Sequence, residues 1–274
     1  MKALRYVLLG IAVAVLIGLG WRISHPDLRS TAVNVRPSVT TPVPQAQAPR
    51  QPTAPEARSM VLSRLNDVPD YIPFFDRLRS EFPAEYLALV DASARTVLGG
   101  AHVPNPDRLI TDAVRNLRQA QGVLAGQAEP QPLASVFEAQ SAMLDALSTD
   151  PTLCVDFLYG GISPTFMAFA ATHRDLVERL AIANLTAISN GKHSKISRDP
   201  PTNQDFDAVS AALKAKGVSD DEVSALLDGK TFDPPLPEKS LCEAGRTYLH
   251  VLDSMPDDTR TRIYALSAAL MARS

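Results

Sequence analysis

No stretch of this sequence alternates apolar and polar residues for long enough to make a half-buried strand, which sets a sheet-based fold aside. The short motifs that announce chemistry are missing too. There is no His-Glu-x-x-His, no Gly-x-Ser-x-Gly, no cysteine cluster of metal-binding spacing and no Walker loop. Active sites also assemble from distant residues, so this removes the positive argument for an enzyme rather than the enzyme itself. The sequence accordingly assigns no catalytic residue, no metal ligand and no cofactor.

Excess positive charge is also lacking where nucleic acid would need it. Residues 1–58 hold seven Lys/Arg and two Asp/Glu, whereas the following 216 residues hold 20 and 28, a net of −8. Phosphate binding demands a basic footprint, so a nucleic-acid partner is excluded for that part. Arg outnumbers Lys twenty to seven and Ala is abundant, the composition of a GC-rich bacterial genome.

Cysteine is scarce, with Cys154 and Cys242 the only two. In an exported protein such a pair predicts one disulfide, closing a loop of nearly ninety residues. Two buried thiols that never meet are the alternative.

What is present begins at the amino end. Lys2 and Arg5 precede an uncharged run from Tyr6 to Trp21, and Arg22 closes it. A membrane-crossing helix needs about 17–25 such residues, which residues 6–23 supply with Trp21 and Arg22 at the interface. A cleaved secretory signal also fits, with Gly18-Leu19-Gly20 as its small-residue site. Next come seven prolines between Pro26 and Arg58, in "TPVPQAQAPRQPTAPEAR" and the residues before it. With no apolar period they predict an extended polyproline linker that reaches about 100 Å. A spacer has a use when both its ends are held, which favours the uncleaved anchor. The sequence therefore divides into a signal-anchor (1–24), a Pro-rich linker (25–58) and a helical extracytoplasmic domain (59–274). The expected location is the inner membrane, single-pass, with the amino end cytoplasmic and the domain periplasmic; the alternative is a soluble periplasmic form.

Beyond residue 58 the apolar period is helical throughout, predicting an all-α irregular bundle of about nine helices. Tyr71, Phe74, Phe75, Leu78 and Phe82 form one stripe. Leu87, Val90, Ala94 and Val97 form another, and Leu109, Ala113, Leu117 and Leu124 a third. Asn105-Pro106-Asp107, Thr202 and Ser219-Asp220-Asp221-Glu222 read as helix starts, with Gly217 and Gly229 as stops. The longest helix is predicted from Ser163 to Gly191, its apolar "PTFMAFAAT" marking it as the central buried element. The segments 137–151 and 242–256 align without gaps at five identical positions, the pattern of a duplicated helix–proline–helix unit.

Three polar groups stand out. "HRDL" at His173–Leu176 imitates a kinase catalytic loop but lacks its Asn and its glycine-rich partner, so His173 is read as a packing-face residue. Lys192, His193, Lys195 and Arg198 gather in a basic stretch of an otherwise acidic domain, a contact site for an anionic partner or a solvated loop. Glu243, Arg246, His250 and Asp253 share one helical face, a proton-transfer set or an ordinary charged surface. The expected function is a membrane-anchored envelope protein that binds another protein. The alternatives are a hydrolase of an envelope polymer and a carrier of an apolar ligand beside Phe166–Phe169.

Overall fold

The computed structural model describes residues 50–160 and 163–272, and these are helical with no strand among them. The predicted membrane helix and most of the linker lie outside the described residues. Among the described residues twelve α-helices stand where about nine were expected. The extra ones are α1 (Ala54–Arg64), α6 (Pro151–Leu158) and the second half of the long helix, which is broken in two. α1 starts within the span read as linker because Thr53 and Glu56 make a reciprocal capping box around Pro55.

The aromatic stripe spans a 3-10 turn (Pro69–Tyr71) and α2 (Ile72–Glu81), and all five of its residues are buried. α3 (Pro83–Leu98) buries Tyr86, Leu89, Val90, Ala94 and Val97. Leu87, expected on that face, is instead exposed, since it lies about 100° round the helix from its buried neighbour Tyr86. α4 (Pro106–Gln121) starts as expected: the Asn105 side chain accepts from the Arg108 N–H, and Pro106 needs no partner for the N–H it lacks.

The helix predicted over 163–191 is the main correction. It is two helices, α7 (Pro164–Thr172) and α8 (Arg174–Ser194), separated by His173 with φ −130° and ψ 50°. His173 is therefore a junction residue. Its ring stacks on Phe169 at 3.9 Å, and its Nδ1 lies 3.0 Å from the Phe169 carbonyl oxygen. α7 buries only Phe166 and Ala170 and is a peripheral helix, while the central role falls to α8. Gly191 does not end α8, which runs on to a left-handed Lys195 at φ 48°.

Gly191 has a different use. Residues Gly122–Gln127 leave α4 as a 3-10 segment that threads between α8 and α12 (Asp257–Met271). A Cβ on Gly191 would lie 1.8 Å from the Leu124 carbonyl oxygen, and one on Gly126 2.9 Å from that of Ala265. Only glycine lets backbones approach so closely.

The two aligned segments come together. α5 (Pro130–Leu147) with α6 forms one helix–proline–helix unit, and α11 (Glu238–Asp253) with α12 the other. Each unit packs its first helix on the second helix of its counterpart. Cys154 and Cys242 bond α6 to α11, with both residues buried and their Cα atoms 5.7 Å apart. Phe137 stacks on Tyr264 at 3.8 Å between α5 and α12. α9 (Asn203–Ala215) and α10 (Asp220–Asp228) precede α11 and pack on it, entered through the predicted Thr202 and Ser219 caps. Gly217 and Gly229 follow these two helices with positive φ.

Candidate functional site

The basic stretch after α8 is not one surface. Lys192 lies 4.9 Å over the Phe82 ring, and His193 Nδ1 is 2.7 Å from the Ser189 carbonyl oxygen, both within the last turn of α8. Lys195 is exposed at the helix end. Arg198 turns inward, donating to the Gly126 carbonyl at 2.9 Å and to the Ala128 carbonyl through its other terminal nitrogen. Burial lowers the pKa of this guanidinium. Its hydrogen bonds satisfy the threaded 3-10 segment, joined there by Ile196 N–H to the Gln127 carbonyl and Glu129 N–H to Asn190.

The face on α11 gains a member that the sequence did not supply. Asp145 of α5 accepts from Arg246 Nε at 2.9 Å and Nη2 at 2.7 Å, and lies 3.7 Å from His250 Nε2. Glu243 is 3.9 Å from Lys239 and fully on the solvent side. The carbonyl of Asp253, not its carboxylate, accepts from Arg260. Arg246, Asp145 and His250 thus form an exposed seam between α5 and α11, and Glu243 and Asp253 stand apart from it.

Two buried carboxylates were missed because their partners are far away in sequence. Asp107 accepts from the Tyr71 hydroxyl at 2.8 Å and from Arg174 Nε at 3.0 Å, pinning the start of α8 to the start of α4. Burial, then the bond to Asp107, raises the Tyr71 pKa. Asp205 accepts from Arg262 at 2.7 and 3.1 Å, from Thr259, and from Thr202. Arg262 above all holds the Asp205 carboxyl below the usual carboxylate range. The only sequence signal for either was their place in a helix first turn, which announces a cap and not a tertiary latch.

Beside the Asp205 latch lies a groove open to solvent. Two hollows of about 350 and 420 Å³ share Pro130, Arg260 and Thr261 and run between the N-terminal ends of α5 and α12 and the segment 196–199. Its apolar surface comes from Pro130, Ala134, Ile196 and Tyr264. Its three arginines are already engaged: Arg198 with carbonyls, Arg260 with Asp257 and the Asp253 carbonyl, and Arg262 with Asp205. Asp199 and Asp258 also line it, and neither carboxylate has a hydrogen-bond donor or an ion-pair partner within 4 Å among the described residues. Both act electrostatically on the Arg262 guanidinium, so charges of both signs face one another along the groove.

Around Phe166 the rings pack on one another, Phe157 at 5.7 Å and Phe169 at 6.2 Å. Among the described residues no group of three or more His, Cys, Asp or Glu is placed to hold a metal ion. None of the described helices is long and apolar enough to cross a membrane. Fold and groove together define a disulfide-linked helical domain with a mixed-charge surface cleft. Set against known proteins, the chain matches no family, no curated protein and no solved structure.

Proposed function

We propose that this chain is a membrane-tethered, envelope-facing helical module that works by binding another protein. The observation that carries the reading is the Cys154–Cys242 bond, which links helices 88 residues apart. Disulfides of this structural kind form and persist in oxidising compartments such as the bacterial periplasm. The basic and then apolar head of the chain is what export to such a compartment requires. An uncleaved head followed by a proline-rich spacer keeps the domain near the membrane while letting it search for a partner. The groove beside α12 offers a binding partner an apolar floor and charged walls.

The test is to express the intact chain in a Gram-negative host, crosslink the envelope, and identify what copurifies with the uncut form. A reproducible partner, lost when residues 59–274 are removed and the head is kept, is the expected result. Recovery of a soluble form lacking residues 1–20, with no partner, would overturn both tether and binding module.

A further inference from the structure

We propose that the Arg118 guanidinium, at the carboxyl end of α4, is a second binding site of this domain, one that receives a carboxylate group of a partner protein. Three observations meet here. The first is an unmet need. Among the described residues Arg118 makes no hydrogen bond and no ion pair, and its Nε is enclosed by protein with no acceptor. Charged groups held in a fold are nearly always paired, because an enclosed charge without a partner is strongly destabilising. Among the described residues the one side chain that acts electrostatically on Arg118 is another cation, Arg115, one turn earlier. Burial, and then this like charge, lowers the Arg118 pKa. A guanidinium keeps its proton all the same, so the positive charge remains.

The second is the surroundings. Between Ala113 and Ala128 the chain carries Arg115 and Arg118 and no acid, and α12 is uncharged from Ile263 to Ala272. These stretches meet: a Cβ on Gly122 would lie 3.5 Å from the Arg118 Cβ and 2.6 Å from that of Ala272. A corner without acid stands out in a domain of net charge −8. Arg115 offers a weaker second cation, since its contact with Asp112 is 3.3 Å and Asp112 lies closer to Arg108, at 2.8 Å. The negative ends of α4 and α12 temper the charge of Arg118, and neither supplies an acceptor to its Nε.

The third is presentation. Of the Arg118 nitrogens only Nε is enclosed, so the fold holds the stem while the terminal pair reaches solvent. Two parallel N–H bonds from that fork match the two oxygens of a carboxylate. One unpaired guanidinium suits a single negative charge, which favours a carboxylate over a doubly charged phosphate. Val123, which follows Gly122, is exposed and leaves apolar surface at the same corner. Arginine beside apolar surface is the composition of interface hot spots. The net charge of the domain repels anions at long range, but that field is screened beyond about 8 Å at physiological salt, and the local cation decides. α12 spans about 22 Å between this corner and the groove at its amino end, so the two sites are separate. That a protein brings the carboxylate rests on the reading of the domain as a binding module; the site itself depends on neither tether nor groove.

The test uses the full chain in detergent micelles and phenylglyoxal, a reagent for free guanidinium groups, with the rate at each arginine followed by mass spectrometry of proteolytic fragments. Arg118 should react at least threefold faster than Arg262 and Arg174, which are bonded to Asp205 and Asp107. Replacing chloride by acetate at constant ionic strength should slow the Arg118 reaction at least threefold and leave the other two unchanged. In acetate the melting temperature should rise by about 2 °C or more in the parent chain and not in Arg118→Met. In chloride Arg118→Met should melt no lower than the parent, because an apolar side chain replaces an unpaired charge. A rate no faster than that of the bonded arginines would mean that the fork is closed, and would overturn the proposal. So would a rate indifferent to acetate, or an Arg118→Met variant that melts lower in chloride, which would show that the charge already has a partner within the fold. Phosphate that protects Arg118 tenfold better than acetate would overturn the carboxylate as occupant.

Discussion

Asp205 shows how much tertiary contacts can add to a local role. Three residues after Thr202, it completes that cap, a contribution of about 1 kcal/mol. In the fold it also holds Arg262 and Thr259 of α12, and its side chain is 4% exposed. Arg262, then the two threonines, depress its pKa against the opposing effect of burial. The folded value thus lies below the unfolded one, so the stabilisation is present above about pH 4 and is lost as pH falls towards the lower folded value. We expect Asp205→Asn to reduce stability by about 2–3 kcal/mol at pH 7, measured by urea unfolding. The difference from the parent should shrink below about pH 4, and a difference constant down to pH 3 would show that the charge is not its cause. Arg198 and Lys195 make a second pair of tests. Removing the Arg198 guanidinium strands the carbonyls of Gly126 and Ala128, and Arg198→Ala should cost about 1.5–3 kcal/mol. Lys195→Ala at the exposed helix end should stay within about 0.5 kcal/mol. Equal effects would mean that the two residues play the same part, as their neighbourhood in the sequence suggested.

At the scale of elements, the caps and stops were legible because they are local. Asn105, Thr202, Ser219 and Gly229 act within five residues of themselves, so their hydrogen bonds can be read from spacing. The break at His173 was not legible. Nothing in "FAATHRDLVERL" forbids a continuous helix. A tertiary partner holds the break, since Arg174 bonds to Asp107, 67 residues away, while Phe169, four residues earlier, closes over the His173 ring. Gly191 was misread for the same reason, since its neighbour Leu124 is distant in sequence. Gly191→Ala sets two effects against each other. Helix propensity favours alanine by about 1 kcal/mol, while the collision with the Leu124 carbonyl opposes it. The collision should win, with a net cost of at least about 3 kcal/mol, because a backbone atom in a packed centre cannot yield. A melting temperature lowered by about 6–12 °C is the expected reading, and any rise would place the 3-10 segment elsewhere.

For the whole molecule, the Cys154–Cys242 bond joins the two helix–proline–helix units across 88 residues. The chain-entropy account gives about 4–5 kcal/mol for a loop of that length, as an upper figure. Reduction, or the Cys154→Ser/Cys242→Ser variant, should shift the denaturant midpoint downward and steepen the slope, because the unfolded chain exposes more surface without the bond. No shift would mean that the two units hold together without the bond, through Phe137–Tyr264 and the α5–α11 seam.

Helix class, most helix starts, the acidic character of the domain and the one cysteine pair were determined by the sequence alone. Each depends on spacing within a few residues or on simple counting. Only the tertiary structure decided that the long helix breaks at His173, that α7 is peripheral, and that the 3-10 segment 122–127 runs through the centre. It alone decided that Arg198 turns inward and that Asp199 and Asp258 line a groove beside Arg262. These outcomes rest on contacts between residues dozens of positions apart, which packing creates and no local pattern encodes.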